Sequence, residues 1–171
     1  MARKTRRPRN KIKKQKGGQM NAVYYNDINI VFKTRLPVSF PIRPVDGGTF
    51  PIDTVEDAPS ITWNTDPNSG TFYTYICFDP DSSVPMWIHM LVGNCTTASL
   101  DSGITLLKWV PPSPPPGTGT HRYIFALYKH SYPVAVDGPK DRGSFDLKKY
   151  IDDNGFIPVA GNSMKVKATP T

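Results

Sequence analysis

Apolar residues in this chain fall in short runs separated by clusters of Pro, Gly, Asn and Asp. The runs are "AVYYNDINIVF" at residues 22–32, "SITW" at 60–63, "TFYTYICF" at 71–78, "WIHMLVGN" at 87–94, "ITLLKW" at 104–109 and "HRYIFALY" at 121–128. Turn-forming stretches such as "VDGG" and "TDPNSG" lie between them, so each run reads as a β-strand bounded by loops. Several are apolar at consecutive positions, the pattern of a central strand covered on both faces. Helical spacing with capping signals occurs at residues 143–155, "GSFDLKKYIDDNG". There Ser144 or Asp146 caps the start, Leu147, Tyr150 and Ile151 share a face, and Gly155 ends the helix. No internal repeat is present. The pattern predicts a mainly β fold of two packed sheets with one or two peripheral helices.

Composition sharpens this picture. The 171 residues, with 8 Phe, 8 Tyr and 3 Trp, suffice for one domain with its own core. Eighteen Pro and 13 Gly call for many turns and little helix. No apolar stretch approaches the roughly 18 residues of a membrane span, and the N-terminus carries no apolar core of a secretory signal. Cys77 lies inside an apolar strand pattern, and Cys95 is the other cysteine of the chain. Both read as reduced thiols in an intracellular setting, cytoplasmic or nuclear.

The formal net charge of +7 belongs to one segment. Arg3, Lys4, Arg6, Arg7, Arg9, Lys11, Lys13, Lys14 and Lys16 place nine cations and no acid within residues 1–16. The chain has 21 basic and 14 acidic residues, so 12 cations face 14 acids after residue 16, and the body is near −2. A run of like charges cannot bury enough surface to order itself. Residues 1–18 therefore read as a basic, flexible tail ending in a Gly17–Gly18 hinge, and residues 19–171 as the β domain. Such a tail serves solubility or nuclear import, or docks onto a nucleic-acid backbone or an acidic protein surface.

The candidate chemistry gathers at strand ends. The strand at 71–78 runs into "DPDSSVP", with Asp79 and Asp81 on its exit, and the next strand opens with Trp87 and His89. By alternation, His89 faces with Trp87 and Leu91. In the strand from 121, His121 faces with Tyr123 and Phe125, and Arg122 points the opposite way toward a carboxylate inside the fold. Asp79, Asp81, His89 and His121 are acceptable metal ligands in type, but no pair has tight ligand spacing. A hydrolase would use His as base and Asp as orienter, yet Ser82 and Ser83 sit in no nucleophile elbow. Two further readings are anion recognition through imidazole and backbone N–H groups, and histidines that simply hold loops to the sheet through Asp79 and Asp81. We assign no catalytic residue, metal or cofactor.

"TFYTYICFDPD", "WIHMLVGN", "PPPGTGTHRYIFALY" and "RGSFDLKKYIDDNGFIPVAG" resemble, in order and spacing, the phosphatidylethanolamine-binding protein family over roughly residues 24–165. The resemblance implies a large central β-sheet packed on a smaller one, with a small pocket at one end. It implies that the pocket takes phosphate, acetate or a phospholipid head group, lined here by Asp79, Asp81, Trp87, His89, His121 and Tyr123, with Pro115 on the rim. It also implies a modulator of other proteins with no general catalytic activity. The tail would then be an arm docking the domain onto a protein or nucleic acid. The alternative is a structural component of a large assembly, a nucleoprotein or, if virus-encoded, a virion, held by the tail and keeping a degenerate pocket.

The chain departs from the family pattern at several points. Ser83 stands where members commonly have a cis proline. A cis bond before serine costs about 2.5–4 kcal/mol, so this loop is expected to take another path. Val84 falls near the position of a pocket tyrosine, and Pro111 and Ser113 replace rim glycines. The segment after "IPVAG" is short, so the C-terminal flanking helix of mammalian members is expected to be missing from it.

The tail reading has a direct test. If all nine cations contact a DNA duplex, log affinity falls by about 8 per log unit of salt, at roughly 0.9 per contact. A filter-binding salt titration of the full chain measures the slope, and a shallow one excludes nucleic acid as the tail's target.

Overall fold

A computed structural model describes residues 23–25, 28–30, 32, 34–65, 69–84, 86–143 and 145–171. The basic tail, residues 1–18, and Ser144 lie outside them. The first apolar run, expected as one strand, contains two: β1 (Val23–Tyr25) and β2 (Ile28–Ile30), which pair with each other antiparallel. In sequence the polar pair Asn26 and Asp27 divides them. The short strands β3 (Val38–Phe40), β4 (Arg43–Pro44), β5 (Thr49–Phe50) and β6 (Ser60–Ile61) follow. The long strands are β7 (Phe72–Asp79), β8 (Trp87–Cys95), β10 (Thr120–His130) and β11 (Ile157–Lys167). β9 (Ile104–Leu107) forms one edge, and α1 (Leu147–Asp153) precedes β11. Asp146 caps α1 by accepting from Lys149 N, and Gly155 leaves it at φ +59°.

The large sheet has the order β5-β11-β10-β7-β8-β9, and the small sheet β4-β3-β6. Both faces of the large sheet are covered, which explains the continuous apolar runs. One face packs Tyr73, Tyr75, Cys77, Tyr123, Phe125 and Leu127 against Leu36, Val38, Phe40, Ile61 and Trp63 of the small-sheet layer. The other packs Ile76, Phe78, Ile88, Leu91, Ile124 and Tyr128 against Leu147, Phe156 and Val134. Cys77 and Cys95 are buried free thiols. Burial raises both, Cys95 to about 11, so neither is a reactive thiolate.

β11 occupies a stretch whose pattern predicts no strand, and it pairs with β10 along nearly its whole length. Pro158, Gly161 and Asn162 give it the look of a loop, but Gly161 and Asn162 each have a structural use. A Cβ on Gly161 would meet the Phe32 ring. Buried Asn162 donates both amide hydrogens, to Leu36 O and Val45 O at 2.9 Å each, tying the sheet to the loop beside it. His130 closes the far end of β10. Its Nδ1 donates to Tyr132 O at 2.6 Å, so in the neutral ring Nε2 accepts from Thr74 Oγ1 at 2.9 Å.

Gly161→Ala should destabilise the fold by about 1–3 kcal/mol, the usual cost of overpacking, seen as a lower urea midpoint at unchanged slope. Burial also holds His130 below its ordinary value of 6.5, against the pull of the Tyr132 carbonyl. The unfolded chain therefore takes up a proton that the folded ring resists, and stability is lost as pH falls below about 6.5. The decline in urea midpoint from pH 7 to 5 should be shallower in His130→Asn, which keeps a donor toward Tyr132 O.

Candidate functional site

β7 ends where β8 and β10 begin, because β7 is antiparallel to both. The C-terminus of one strand and the N-termini of two others thus converge at one end of the sheet. A cavity of about 300 Å³ opens there, lined by Asp79, Ser82, Ser83, Val84, Trp87, His89, Val110, Pro111, Ser113, Pro114, Pro115, His121 and Tyr123. A larger cavity of about 460 Å³ lies beside the small sheet, between Arg35, Ser39, Asp46 and Asn162. The first holds the buried titratable groups, which makes it the candidate site.

Asp79, at 4% exposure, is satisfied on both carboxylate oxygens. Oδ1 accepts from Asp81 N at 2.7 Å and Oδ2 from His121 Nδ1 at 2.7 Å. His121 Nε2 meets Thr118 Oγ1 at 2.9 Å, and that hydroxyl also reaches Pro115 O at 2.7 Å. Both nitrogens of His121 are thus committed, one to the strand end and one to the rim turn. The rim is anchored further by Gly117 N donating to Thr169 O and Ala168 N to Gly119 O.

His89 is placed by a β-bulge. Cys77 pairs with Met90 and Phe78 with Ile88, one step on β7 against two on β8, so His89 is the inserted residue. This corrects the expected alternation. Leu91 joins Ile88 on the α1 side, whereas the His89 ring lies edge-on to Tyr123 at 5.0 Å and beside Trp109 at 6.1 Å, on the small-sheet side. Nδ1 donates to Val110 O at 2.6 Å, and Val110 N returns a bond to His89 O. Arg142 holds the bulge from outside, its guanidinium donating to the carbonyls of Ile88, His89 and Lys108. Burial lowers the His89 pKa, outweighing the opposing pull of the Val110 carbonyl and Asp79. Burial and then the Asp79 charge raise Tyr123, which is a neutral phenol.

Asp81 does not line the cavity. It takes Arg122 in a two-pronged pair, Nε to Oδ2 at 2.8 Å and Nη2 to Oδ1 at 2.7 Å, and Oδ2 also accepts from Arg122 N. Partial burial pushes its carboxyl up, but the Arg122 bonds and charge prevail and hold it below the ordinary value. The structure thus brings Asp79, Trp87, His89, Pro115, His121 and Tyr123 to one cavity and pairs Asp81 with Arg122, at a partly exposed position and not inside the fold as expected. Sequence reading misses Thr118, Val110 and Arg142. Val110 acts through its own backbone, and the Arg142 guanidinium through main-chain carbonyls of other residues, contacts that leave no residue-type signal. Among the described residues no three His, Cys, Asp or Glu side chains converge as a metal cluster, and no described peptide bond is cis. Ser83 and Val84 form a wall of the cavity.

A profile of the family described as phosphatidylethanolamine-binding protein matches residues 42–164. Among solved structures, the carboxypeptidase Y inhibitor, crystallised with its cognate proteinase, is similar at a TM-score of 0.70 and 22% identity, covering 82% of this chain and 86% of that one. Phosphatidylethanolamine-binding proteins from Plasmodium vivax and Plasmodium falciparum are similar at TM-scores of 0.62 and 0.58, with 20% and 21% identity. They cover 80% and 78% of this chain, and 88% and 87% of their own chains are matched. With two sheets of six and three strands and a profile match over most of its length, the chain belongs to the phosphatidylethanolamine-binding protein family.

Proposed function

We propose that this protein acts by binding, with the cavity at the end of the large sheet taking a small oxyanion such as phosphate or a phosphorylated head group. The observation that carries the reading is His89, 4% exposed, whose Nδ1 is committed to Val110 O while its other nitrogen makes no hydrogen bond among the described residues. Trp87, Ser82, Ser83 and Ser113, residue types with N–H or O–H donors, line the same space. Binding fits better than catalysis, because Asp79 and His121 are fully engaged in holding the strand end and rim together. A base so committed is not poised to activate water or a serine.

The basic segment 1–16 supplies the second half of the reading, as an arm that brings residues 19–171 to a polyanionic partner, nucleic acid or an acidic protein face. Buried, unpaired thiols accord with a reducing, intracellular location. A family relative crystallised with a proteinase supports protein modulation as the output. Among the described residues no helix is long and apolar enough to cross a membrane.

Titrating the protein with inorganic phosphate at pH 6.5 should move the His89 ring and Trp87 indole resonances while leaving His130 in place. His89→Ala should weaken phosphate binding at least tenfold, since a hydrogen bond to a charged group is worth about 1.5–3 kcal/mol, with the fold retained by circular dichroism. If phosphate moves no histidine resonance, the pocket reading is wrong.

A further inference from the structure

The same cavity has an electrostatic peculiarity, whose consequence for binding rests on the cavity being an oxyanion pocket. An oxyanion site ordinarily carries a cation or a set of N–H donors aimed inward. Here no Lys or Arg is among the lining residues, and the one carboxylate among them is Asp79. Arg122 is turned away onto Asp81, and Arg142 donates to three main-chain carbonyls. His121, the cavity's other imidazole, has both nitrogens engaged.

Beside the neutral donors of Trp87 and the serines, His89 is thus the lining group with an uncommitted ionisable nitrogen, and its tautomer matters. A carbonyl only accepts, so the 2.6 Å contact with Val110 O puts a proton on Nδ1. In the neutral ring, Nε2 then carries a lone pair. A lone pair and an oxyanion oxygen repel each other unless a proton lies between them. The groups facing His89 are Asp79 at the end of β7, His121 and Tyr123 on β10, and Arg142 from the loop before α1. Tyr123 stays a neutral phenol, and Arg142 and Asp79 oppose each other in their effect on the ring.

We infer that this pocket binds an oxyanion together with one proton, held between His89 Nε2 and the ligand oxygen, so that occupancy is coupled to acidity. A ligand that brings its own proton, such as a phosphate monoester in its monoanionic form, supplies the proton directly. A ligand without one, such as sulfate, must draw it from solvent onto His89. Burial, which disfavours the charged ring in the empty pocket, makes the coupling visible near neutral pH.

The test uses the full chain and sulfate, which has no proton to give above about pH 4. Calorimetry in two buffers of different ionisation enthalpy counts the protons taken up per sulfate bound. Close to one proton is expected at pH 7.5, with affinity rising about tenfold per unit as pH falls from 8 to 7. His89→Asn, which retains a donor toward Val110 O and lacks Nε2, should lose the pH dependence along with most of the affinity. Inorganic phosphate run alongside separates the two proposals. If phosphate and sulfate bind equally at pH 8 and pH 6 without proton uptake, Trp87 and the hydroxyls suffice as donors, and the coupling is refuted while the pocket reading stands. If neither anion binds at any pH from 6 to 8, both fall.

Discussion

A carboxylate buried at the end of a central strand sets the terms for everything around it. Taken out of water alone, Asp79 would cost several kcal/mol. Each of its oxygens is therefore met, by the Asp81 amide and by His121. The amide bond turns the chain sharply after β7. The imidazole bond fixes the first inward side chain of β10, and through Thr118 it fixes the rim turn as well. Asp81, pointed back by the same turn, accepts the Arg122 guanidinium on the sheet's other side. One desolvated charge thus organises strand end, loop and rim, and the cavity is the space these satisfied groups leave between them.

The second organiser is a departure from regularity. Without the extra residue in β8, His89 would stay in phase with Leu91, on the side that packs against α1. The bulge moves it to the opposite side, next to Tyr123, and the carbonyls freed from the ladder are taken by Arg142. Asn94 does similar work at the other end of β8. It sits at φ +59°, beside a second register shift, and exchanges two hydrogen bonds with Val134. Both irregularities are stabilised by side chains from the segment between β10 and α1 or by its backbone. That connection, whose described residues form no strand or helix, therefore has a defined job.

Legibility in the sequence followed the physical strength of the signal. The strands from Phe72 to His130 announce themselves through unbroken apolar runs, and α1 through Asp146 and Gly155. β11 was illegible because Pro158, Gly161 and Asn162 resemble a loop. Only tertiary partners, the Phe32 ring and the Leu36 and Val45 carbonyls, explain the glycine and the asparagine. In the site, residue identity pointed to Asp79, Trp87, His89, His121 and Tyr123. Period-2 counting gave His89 the wrong companion at Leu91, since a bulge leaves no mark in composition. Asp81 entered the expected lining through the family resemblance, and the structure pairs it with Arg122 instead, a choice of partner that residue type alone does not encode.

The pairing of Asp79 with His121 spans 42 positions of chain, and the Asp81–Arg122 pair spans 41. Closing loops of that length is entropically costly before any contact rewards it. A chain emerging from the ribosome can complete β7 and β8 but has no pocket until β10 arrives, and β10 keeps an open edge until β11 joins it. The cavity is therefore among the last features to exist during folding. Until it does, a hydrophobic strand pair with an unprotected flank is exposed, and that interval is when the nascent protein is most vulnerable to aggregation.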